Sequence, residues 1–533
     1  MNIYFTGMCI AMLFFLGISF LISKKVKNAE DFYVAGRKAP LILIAGSMIA
    51  SYTSTGLFMG DAAEAYEGAF SAIIVANLQS AGYILGAVFF GRYLRRSGAM
   101  TIPEFFGKRF CSEKMRTLSA VTAIIMMSVY LLSVIQGVGT LMNVVTGISY
   151  NVCIVIAIVV FTFISVVSGS RGVLITDTLM AGLFTISMLV AVVFIANRAG
   201  GWFSAIAELA QSPDTRALLS WEGRPGVLYE TGKENMIWGI SYGIVWCSVC
   251  AIGPWQSSRY MMAKDEHTVV GAAPVAAFGV FILQFFVSMT AVIIHVLNPE
   301  LPQSSHVWIW AAMNAVPVFL GVILMTGVLS AGISSATTFL SLIGASAAND
   351  LAVSKGDQSI KIGRYVMIVT SVIVLVCAIT NPPAIFVIMF LGGTTAASSW
   401  MPVAVGCIFS KRMTKTGAFC GMLFGMIGCL AANLVRSLGG VNLPAYLDPA
   451  IIGIFCNVIA IVIGSSLTKP TQEEKTAREK LFEIPKSECD PVAVRKTMNW
   501  SLFGIVVGIL ITLLMLIFWL SHFGWHRGRQ MAE

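Results

Sequence analysis

Hydroxyl side chains crowd one short stretch of a long apolar segment. Residues 329–338 read LSAGISSATT, and on a helix Ala331, Ser334, Ser335 and Thr338 fall on one face, since residues three and four apart are neighbours. Hydroxyl oxygens at membrane depth are hard ligands that suit a hard cation. The alternative is that these small residues let helices pack closely and bond back to their own helix.

Asp177 places a carboxylate inside another apolar segment. An acid at membrane depth is costly, and it usually faces a cavity, an ion or a partner group. The alternative is an acid near the start of its helix, where it reaches interfacial water and favours the positive helix end. A buried acid elsewhere in the chain favours the cation interpretation of the hydroxyl stretch.

A third polar stretch lies in the middle of the second apolar segment, where every residue from 51 to 56 is Ser, Thr, Tyr or Gly. This polarity surrounds the whole helix, which favours a discontinuous membrane helix whose freed carbonyls line a cavity. The alternative is an intact helix with a small-residue packing face. Carbonyls from a break and hydroxyls from 331–338 would form an uncharged oxygen cage, which suits sodium better than a divalent ion.

Membrane helices must position these groups. The chain has 533 residues, of which 57% are hydrophobic and 11% charged, so we predict an all-α polytopic membrane protein and exclude soluble and disordered classes. Strand-like alternation is absent, which argues against a barrel. The basic residues cluster in alternate loops, so the net charge of +9 reflects membrane topology and does not indicate nucleic acid.

We predict about fourteen transmembrane helices in the cell (plasma or inner) membrane, with the N-terminus and the C-terminus outside, because most Lys and Arg then lie in cytoplasmic loops. The predicted spans are residues 3–23, 40–60, 68–91, 117–143, 151–168, 172–196, 235–255, 267–297, 307–340, 363–381, 384–408, 417–436, 449–467 and 499–521.

Five motifs, in order along the chain, resemble the sodium:solute symporter family. They are residues 31–37 (DFYVAGR), 101–110 (TIPEFFGKRF), 176–178 (TDT), 259–265 (RYMMAKD) and 331–335 (AGISS). The resemblance implies a LeuT-like fold with two inverted repeats of five helices. We therefore expect an N-terminal extra helix and loop (1–38), a first repeat (39–197), an external loop with the second repeat (198–410), and C-terminal accessory helices (411–533).

The resemblance also implies two ion sites. The first sodium site would take the backbone carbonyls of Ala50, Thr53 and Ala331 and the hydroxyls of Ser334 and Ser335. A second sodium site, whose occupancy is a hypothesis, would take the Asp177 carboxylate and the hydroxyls of Ser334, Thr337 and Thr338.

The solute is expected in a midplane cavity between the repeats. Its candidate contacts are Tyr52, Ser54, Thr55, Asn77, Gln79, Trp246 and Ser248. Sugar-transporting members place Asn and Gln where this chain has Tyr52 and Leu57, so a sugar is not expected. No Lys or Arg falls at the predicted midplane, so a carboxylate solute would be held by helix-end amides.

The predicted function is sodium-coupled symport, in which alternating access imports a small polar organic solute. One alternative is a proton-coupled symporter of the same fold with Asp177 as the titrating group. Another is a transporter-like membrane sensor. We expect sodium, the solute and membrane lipid as partners, and neither nucleic acid, an obligate protein partner nor enzymatic activity.

Overall fold

The computed structural model describes residues 3–24, 28–69, 72–380, 384–438 and 443–523. These residues are helical almost throughout and contain no strand, and one isolated bridge joins Ala39 to Ala263. The predicted all-α class is confirmed. The basic loop predicted after the first span lies partly outside the described residues, and so does the end of the chain after Phe523.

The helices of the first half of the chain are α1 (Ile3–Ser23), α2 (Ala29–Val34), α3 (Leu41–Tyr52), α4 (Ala62–Glu67), α5 (Ala72–Gly86), α6 (Arg92–Arg96), α7 (Ile102–Phe110), α8 (Glu113–Thr146), α9 (Tyr150–Arg198), α10 (Trp202–Leu209) and α11 (Pro213–Arg216). Those of the second half are α12 (Gly232–Ile252), α13 (Pro254–Met262), α14 (Glu266–Leu297), α15 (Val307–Asn314), α16 (Val318–Ser346), α17 (Gly356–Thr380), α18 (Ile385–Phe409), α19 (Lys415–Leu438), α20 (Pro449–Ser466), α21 (Gln472–Lys480) and α22 (Pro491–Phe523). There are three π-helical turns among the described residues. Gly56–Asp61 precedes α4, Ala87–Gly91 precedes α6, and Ala347–Leu351 follows α16.

The described residues contain twelve helical stretches that are long and apolar enough to cross a membrane, or thirteen when the bent pair α3 and α4 counts as one span. The predicted third span corresponds to α5, which continues through its π-helical turn into α6 and is not part of that count. The polytopic helical architecture is therefore confirmed.

Two predicted spans differ from the structure at their ends. The prediction of one span over 307–340 is wrong at its start, because α15 is a separate helix and α16 begins only after Pro317. Proline lacks the N–H that an uninterrupted helix needs. The prediction of 235–255 is too short, since α12 and α13 form one stretch, Gly232–Met262, with a turn at Gly253.

A single glycine divides the longest helix, α9, into the predicted fifth and sixth spans. Gly169 adopts φ 56° and ψ −165° in the middle of α9. A Cβ at this position would lie 2.6 Å from the Phe32 ring and 2.7 Å from the Phe32 carbonyl oxygen. Glycine is therefore required both by the positive φ and by the close approach of α2.

The centre of the bundle is formed by α3, α9, α14 and α16. Helix α16 packs against α9 and α8, while α3 packs against α9, α14 and α16. Helices α19 and α20 pack on each other and on α18, and α22 packs on α14 and α5. Two interrupted helices, α3 with α4 and α12 with α13, begin the predicted units 39–197 and 198–410; the boundaries of these units stay a prediction.

The loop that holds α7 is fixed to the end of α16. Thr101 caps α7 by accepting the Glu104 N–H at 3.1 Å, and its hydroxyl donates to Asp350 at 2.8 Å. The Arg116 side chain donates to the same carboxylate at 2.9 Å. These contacts join the motif at 101–110 to the helix that carries the hydroxyl stretch.

Candidate functional site

The helix that begins at Leu41 is interrupted inside the bundle. Helix α3 ends at Tyr52, Thr53 is extended with φ −74° and ψ 112°, and the halves on either side of the break are bent by 42°. The Ser54 Oγ accepts the Gly56 N–H at 3.0 Å, and the Leu57 N–H donates to the Ser54 carbonyl at 3.2 Å. A local side-chain bond thus replaces part of the helical ladder, and the predicted break is confirmed.

Ser334 and Ser335 lie buried in the middle of α16 and bond to two different neighbours. The Ser335 hydroxyl donates to the Thr53 carbonyl oxygen at 3.4 Å, which joins α16 to the open backbone of the break. The Ser334 hydroxyl donates to Asp177 Oδ1 at 2.6 Å. These adjacent serines therefore connect the break after α3 with the carboxylate on α9.

The two other predicted members of the first sodium site occupy the same level of the bundle. Ala50 lies about one turn before Thr53 on α3, and Ala331 lies about one turn before Ser335 on α16. Both alanines are fully buried, and the two helices pack against each other. The chain therefore brings small residues together at this junction, where backbone carbonyls and hydroxyls can converge.

Asp177 is fully buried in α9 and is bonded on several sides. Besides Ser334, its carboxylate accepts hydrogen bonds from the Ser47 hydroxyl at 2.7 Å and from Arg259 Nη2 at 2.9 Å. The same Arg259 nitrogen donates to Thr338 Oγ1 at 2.8 Å, and Arg259 Nε donates to Ser47 Oγ at 3.0 Å. The carboxylate and the guanidinium thus form a buried ion pair inside a network of hydroxyls.

The position of Arg259 was not anticipated from the sequence, which predicted no Lys or Arg at the membrane midplane and did not indicate a buried basic side chain beside Asp177. The residue lies on α13, which continues the predicted seventh span beyond the turn at Gly253, and its side chain is only 2% exposed. Its guanidinium also donates to the Trp255 carbonyl, one turn earlier on the same helix. A positive charge therefore occupies the neighbourhood predicted for a second sodium ion.

Thr337 uses its hydroxyl within its own helix. It donates to the Ile333 carbonyl at 2.9 Å and to the Ser334 carbonyl at 3.0 Å. Of the other predicted ligands of the second site, Thr338 bonds to Arg259 and Ser334 bonds to Asp177. All four predicted residues lie close to one another, and two of them already contact the guanidinium.

The three predicted solute contacts at the break are all buried, with different partners. The Tyr52 hydroxyl donates to Gln284 Oε1 at 2.5 Å. Ser54 closes the break as described above, and the Thr55 hydroxyl donates to the Val134 carbonyl on α8 at 3.3 Å. Tyr52 therefore faces a polar group on α14, whereas Thr55 faces the neighbouring α8.

Asn77 and Gln79 of α5 point in different directions. Gln79 is fully buried beside the Tyr52 hydroxyl, and neither of its amide atoms completes a hydrogen bond of regular geometry. Asn77 accepts a hydrogen bond from Thr512 of α22 at 3.0 Å and lines an apolar groove of about 760 Å³ beside that helix. Residues two apart on a helix lie roughly 200° apart around its axis, so one solute cannot be expected to contact both.

Trp246 and Ser248 of α12 also lie in different surroundings. The Trp246 ring lies among aromatic side chains, with its centroid 6.0 Å from that of Tyr242, and its Nε1 has no hydrogen-bond partner. The Ser248 hydroxyl donates to the Ile244 carbonyl of its own helix at 2.9 Å. Trp246 and Gln79 are thus the predicted solute contacts whose polar atoms are buried and unpartnered.

A further buried carboxylate, Asp61, was not predicted from the sequence; it ends the π-helical turn after the break. The Tyr242 hydroxyl donates to Asp61 Oδ1 at 2.8 Å, and Gln284 is a further neighbour of this carboxylate. The predicted second span stopped at residue 60 and so placed Asp61 in a loop. The signal available in the sequence was an acid only five residues after Gly56. The structure shows that the helix continues past this acid to Glu67.

Comparisons with known proteins show which family the chain resembles. A model described as the sodium:solute symporter family matches residues 32–425. The sodium/proline symporter of Salmonella typhimurium is 23% identical over 500 residues, which cover 87% of this chain and 94% of that protein. The sodium/proline symporter of Escherichia coli is 23% identical over 495 residues, with the same coverage.

A solved structure gives the same fold. The substrate-bound, outward-open state of a Na⁺-coupled sialic acid symporter superposes with a TM-score of 0.72 at 20% identity, and the match covers 88% of this chain and 99% of that one. The LeuT-like fold implied by the sequence motifs is therefore confirmed.

Proposed function

The chain belongs to the sodium:solute symporter family, and we propose how its residues carry out the transport that this membership entails. The protein is a sodium-coupled symporter that is integral to the membrane. The proposal concerns its ion sites, its partners and its orientation, with both termini outside the cell membrane.

The first sodium ion binds, in this proposal, between the break after α3 and the middle of α16. Its ligands are the carbonyls of Ala50, Thr53 and Ala331 and the hydroxyls of Ser334 and Ser335. The observation that carries the proposal is the 3.4 Å contact between Ser335 Oγ and the Thr53 carbonyl, because it joins a hydroxyl-bearing helix to open backbone. Such neutral oxygens hold a small monovalent cation without a formal countercharge.

Sodium at this junction couples to the solute through the break itself. The same few residues supply Thr53 to the ion and Tyr52 to the solute region, so ordering the backbone for one ligand orders it for the other. Coupling of this kind is reciprocal, and the solute must raise the affinity for sodium by the same factor. A membrane potential of about 100 mV adds roughly 2.3 kcal/mol for each charge moved inward, which is about fifty-fold in accumulation.

A second sodium ion at Asp177, Ser334, Thr337 and Thr338 would compete with Arg259. The guanidinium donates to both Asp177 and Thr338, and it balances the charge of the carboxylate. We propose that this site accepts sodium only in a state in which Arg259 has withdrawn, so that the arrangement described here corresponds to one bound sodium ion. The ratio of sodium to solute tests this part of the proposal.

The proposed partners are sodium, one small polar organic solute and the surrounding lipid, with no catalytic step, nucleic acid or obligate protein partner. The rival proton-coupled mechanism needs Asp177 to exchange a proton during each cycle. Each protonation would break the ion pair with Arg259 and leave a buried guanidinium without its partner, which is costly. The ion pair thus favours sodium over protons as the coupling ion.

The deciding experiment is uptake by the purified protein in proteoliposomes. A panel of small polar solutes is offered under an inward sodium gradient, with potassium replacing sodium in the control, and separately under a pH gradient without sodium. We expect uptake that requires the sodium gradient. Uptake driven by the pH gradient alone would favour proton coupling, and solute binding without any uptake would favour a sensor.

A further inference from the structure

Asp61 differs from Asp177 and Asp350 in having no basic partner. Within the part of the chain that the structure describes, no Lys or Arg lies within ion-pairing distance of it, although it is only 4% exposed. Asp177 pairs with Arg259 at 2.9 Å, and Asp350 pairs with Arg116 at 2.9 Å. A charged carboxylate that is buried without a countercharge is costly, so Asp61 carries its charge only when a cation lies beside it.

The neighbours of Asp61 are polar but uncharged. The Tyr242 hydroxyl donates a hydrogen bond to Asp61 at 2.8 Å. Gln284, whose Oε1 accepts a hydrogen bond from the Tyr52 hydroxyl at 2.5 Å, also lies beside Asp61. These groups come from α12, α14 and α3, and two of these helices, α3 and α12, carry predicted solute contacts. Asp61 therefore lies beside the predicted solute region, in the turn that follows the break at Thr53 of the proposed sodium site.

Aromatic rings pack around the ring of Tyr242, whose hydroxyl bonds to Asp61. The Tyr242 ring lies parallel to Phe390, with centroids 5.6 Å apart and an interplanar angle of 13°. Its centroid is 5.1 Å from that of Trp238 and 6.0 Å from that of Trp246, and Tyr130 lies 6.1 Å beyond Trp246. Aromatic faces attract organic cations, and they do so most strongly where water is excluded.

Two polar groups without a regular hydrogen bond border the same cluster. Trp246 Nε1 is a donor without an acceptor, and the amide of fully buried Gln79 lies beside the Tyr52 hydroxyl without completing a hydrogen bond of regular geometry. Buried polar groups normally have partners. These two are therefore expected to meet a ligand group that accepts hydrogen bonds.

We propose that the transported solute carries an ammonium group, which pairs with Asp61 against the faces of the aromatic cluster, and a hydrogen-bond-accepting group directed at Trp246 and Gln79. This inference rests on the proposed sodium-coupled transport and adds the chemical class of its solute. The class comprises amines, quaternary ammonium compounds and zwitterions with an ammonium end.

Two probes of equal shape test the charge requirement in the unaltered protein. Choline and its uncharged isostere 3,3-dimethyl-1-butanol differ at the quaternary centre, which is nitrogen in one and carbon in the other; ethanolamine tests a primary ammonium. Binding is measured as thermal stabilisation of the purified full-length protein, with and without sodium. We expect stabilisation by at least one ammonium probe and none by the isostere at equal concentration. Equal stabilisation by choline and the isostere, or none by either ammonium probe, would overturn the proposal.

Substitution of Asp61 then assigns the contact. Asp61→Asn keeps the size of the side chain and removes its charge, and we expect the affinity for the ammonium probe to fall at least about tenfold while sodium still stabilises the protein. Asp357→Asn, at an exposed carboxylate in the first turn of α17, is the matched control and should leave both affinities unchanged.

The outcomes separate this proposal from the one on which it rests. An ammonium probe that binds equally with and without sodium would support the ammonium site and count against sodium coupling. Sodium-driven uptake of a neutral or anionic solute that ammonium compounds do not inhibit would keep the symport and overturn the solute class. An Asp61→Asn variant with weaker sodium binding and unchanged ammonium binding would assign Asp61 to the ion and would also overturn the proposal.

Discussion

Arg259 and Asp177 form an ion pair inside the bundle, with 2.9 Å between Nη2 and Oδ2 and neither side chain more than 2% exposed. The pair joins α13 of the second predicted repeat to α9 of the first. Through Ser334 it also contacts the proposed sodium site. Its charge balance therefore bears on the stability of the protein and on the number of ions that it carries.

Breaking this pair from one side should destabilise the protein. Asp177→Asn leaves the Arg259 charge buried without its counterion, which typically costs about 3–5 kcal/mol. The double variant Asp177→Asn with Arg259→Gln removes both charges, so we expect it to unfold at a higher temperature than either single variant. Thermal unfolding in detergent at one fixed scan rate measures the difference. Losses that simply add in the double variant would contradict the pairing.

The proposed sodium ligands on α16 can be tested together. Replacing Ser334 and Ser335 with alanine removes two oxygen ligands, and we expect the half-saturating sodium concentration for uptake to rise at least about tenfold. Ser330→Ala is the matched control, because Ser330 is buried about one turn earlier and bonds to Thr326 of its own helix. Unchanged sodium dependence in the double variant would place the ion elsewhere.

The motif at 101–110 should make stability depend on pH at the acidic end. Burial alone would raise the pKa of the Glu104 carboxyl, but hydrogen bonds from the Lys108 side chain and the Met100 N–H hold that pKa below its ordinary value of 4.5. The group therefore contributes stability above about pH 4.5, which is lost as the pH falls through the lower folded-state value. Glu104→Gln should lose about 1 kcal/mol at neutral pH, and this difference should shrink as the pH falls below about 4.5.

Unfolding temperatures between pH 3.5 and pH 7 measure this dependence in detergent. Glu113→Gln provides the control, because that side chain is 79% exposed and makes only a long contact of 3.9 Å with Arg116. The control should follow the unaltered protein at every pH. A constant difference between Glu104→Gln and the unaltered protein across this range would show that the carboxylate charge does not matter there.

The sequence marked polar groups inside continuous apolar runs, and the structure brings several of them together. Ser334, Ser335 and Asp177 stand out in this way, and the uniform polarity of 51–56 predicted the break in its helix. Arg259 and Asp61 were missed because hydropathy ends a span where charged residues begin, whereas both helices continue past that point. Each charge is accommodated by contacts with other helices that the sequence pattern does not contain.

The sequence also did not show which face of α5 and which face of α12 points toward the bundle centre. Asn77 and Gln79 look equivalent in sequence, as do Trp246 and Ser248, since each pair lies within one turn of a span. Only the packing of α5 against α12, α14 and α22 decides which member faces the bundle centre. That packing depends on residues distant in the chain, so local periodicity could not separate the members of either pair.

Gln79 should show opposite effects on stability and on binding. Its amide is fully buried and completes no hydrogen bond of regular geometry, so Gln79→Leu removes a desolvated polar group, and we expect the unfolding temperature to rise by the equivalent of about 1–3 kcal/mol while solute affinity falls. Gln136→Leu is the matched control, since its buried Oε1 accepts the Ala384 N–H at 3.1 Å and its loss should lower stability. Thermal unfolding and solute binding in saturating sodium measure both effects, and destabilisation by Gln79→Leu equal to that of the control would mean that the Gln79 amide is bonded within the protein.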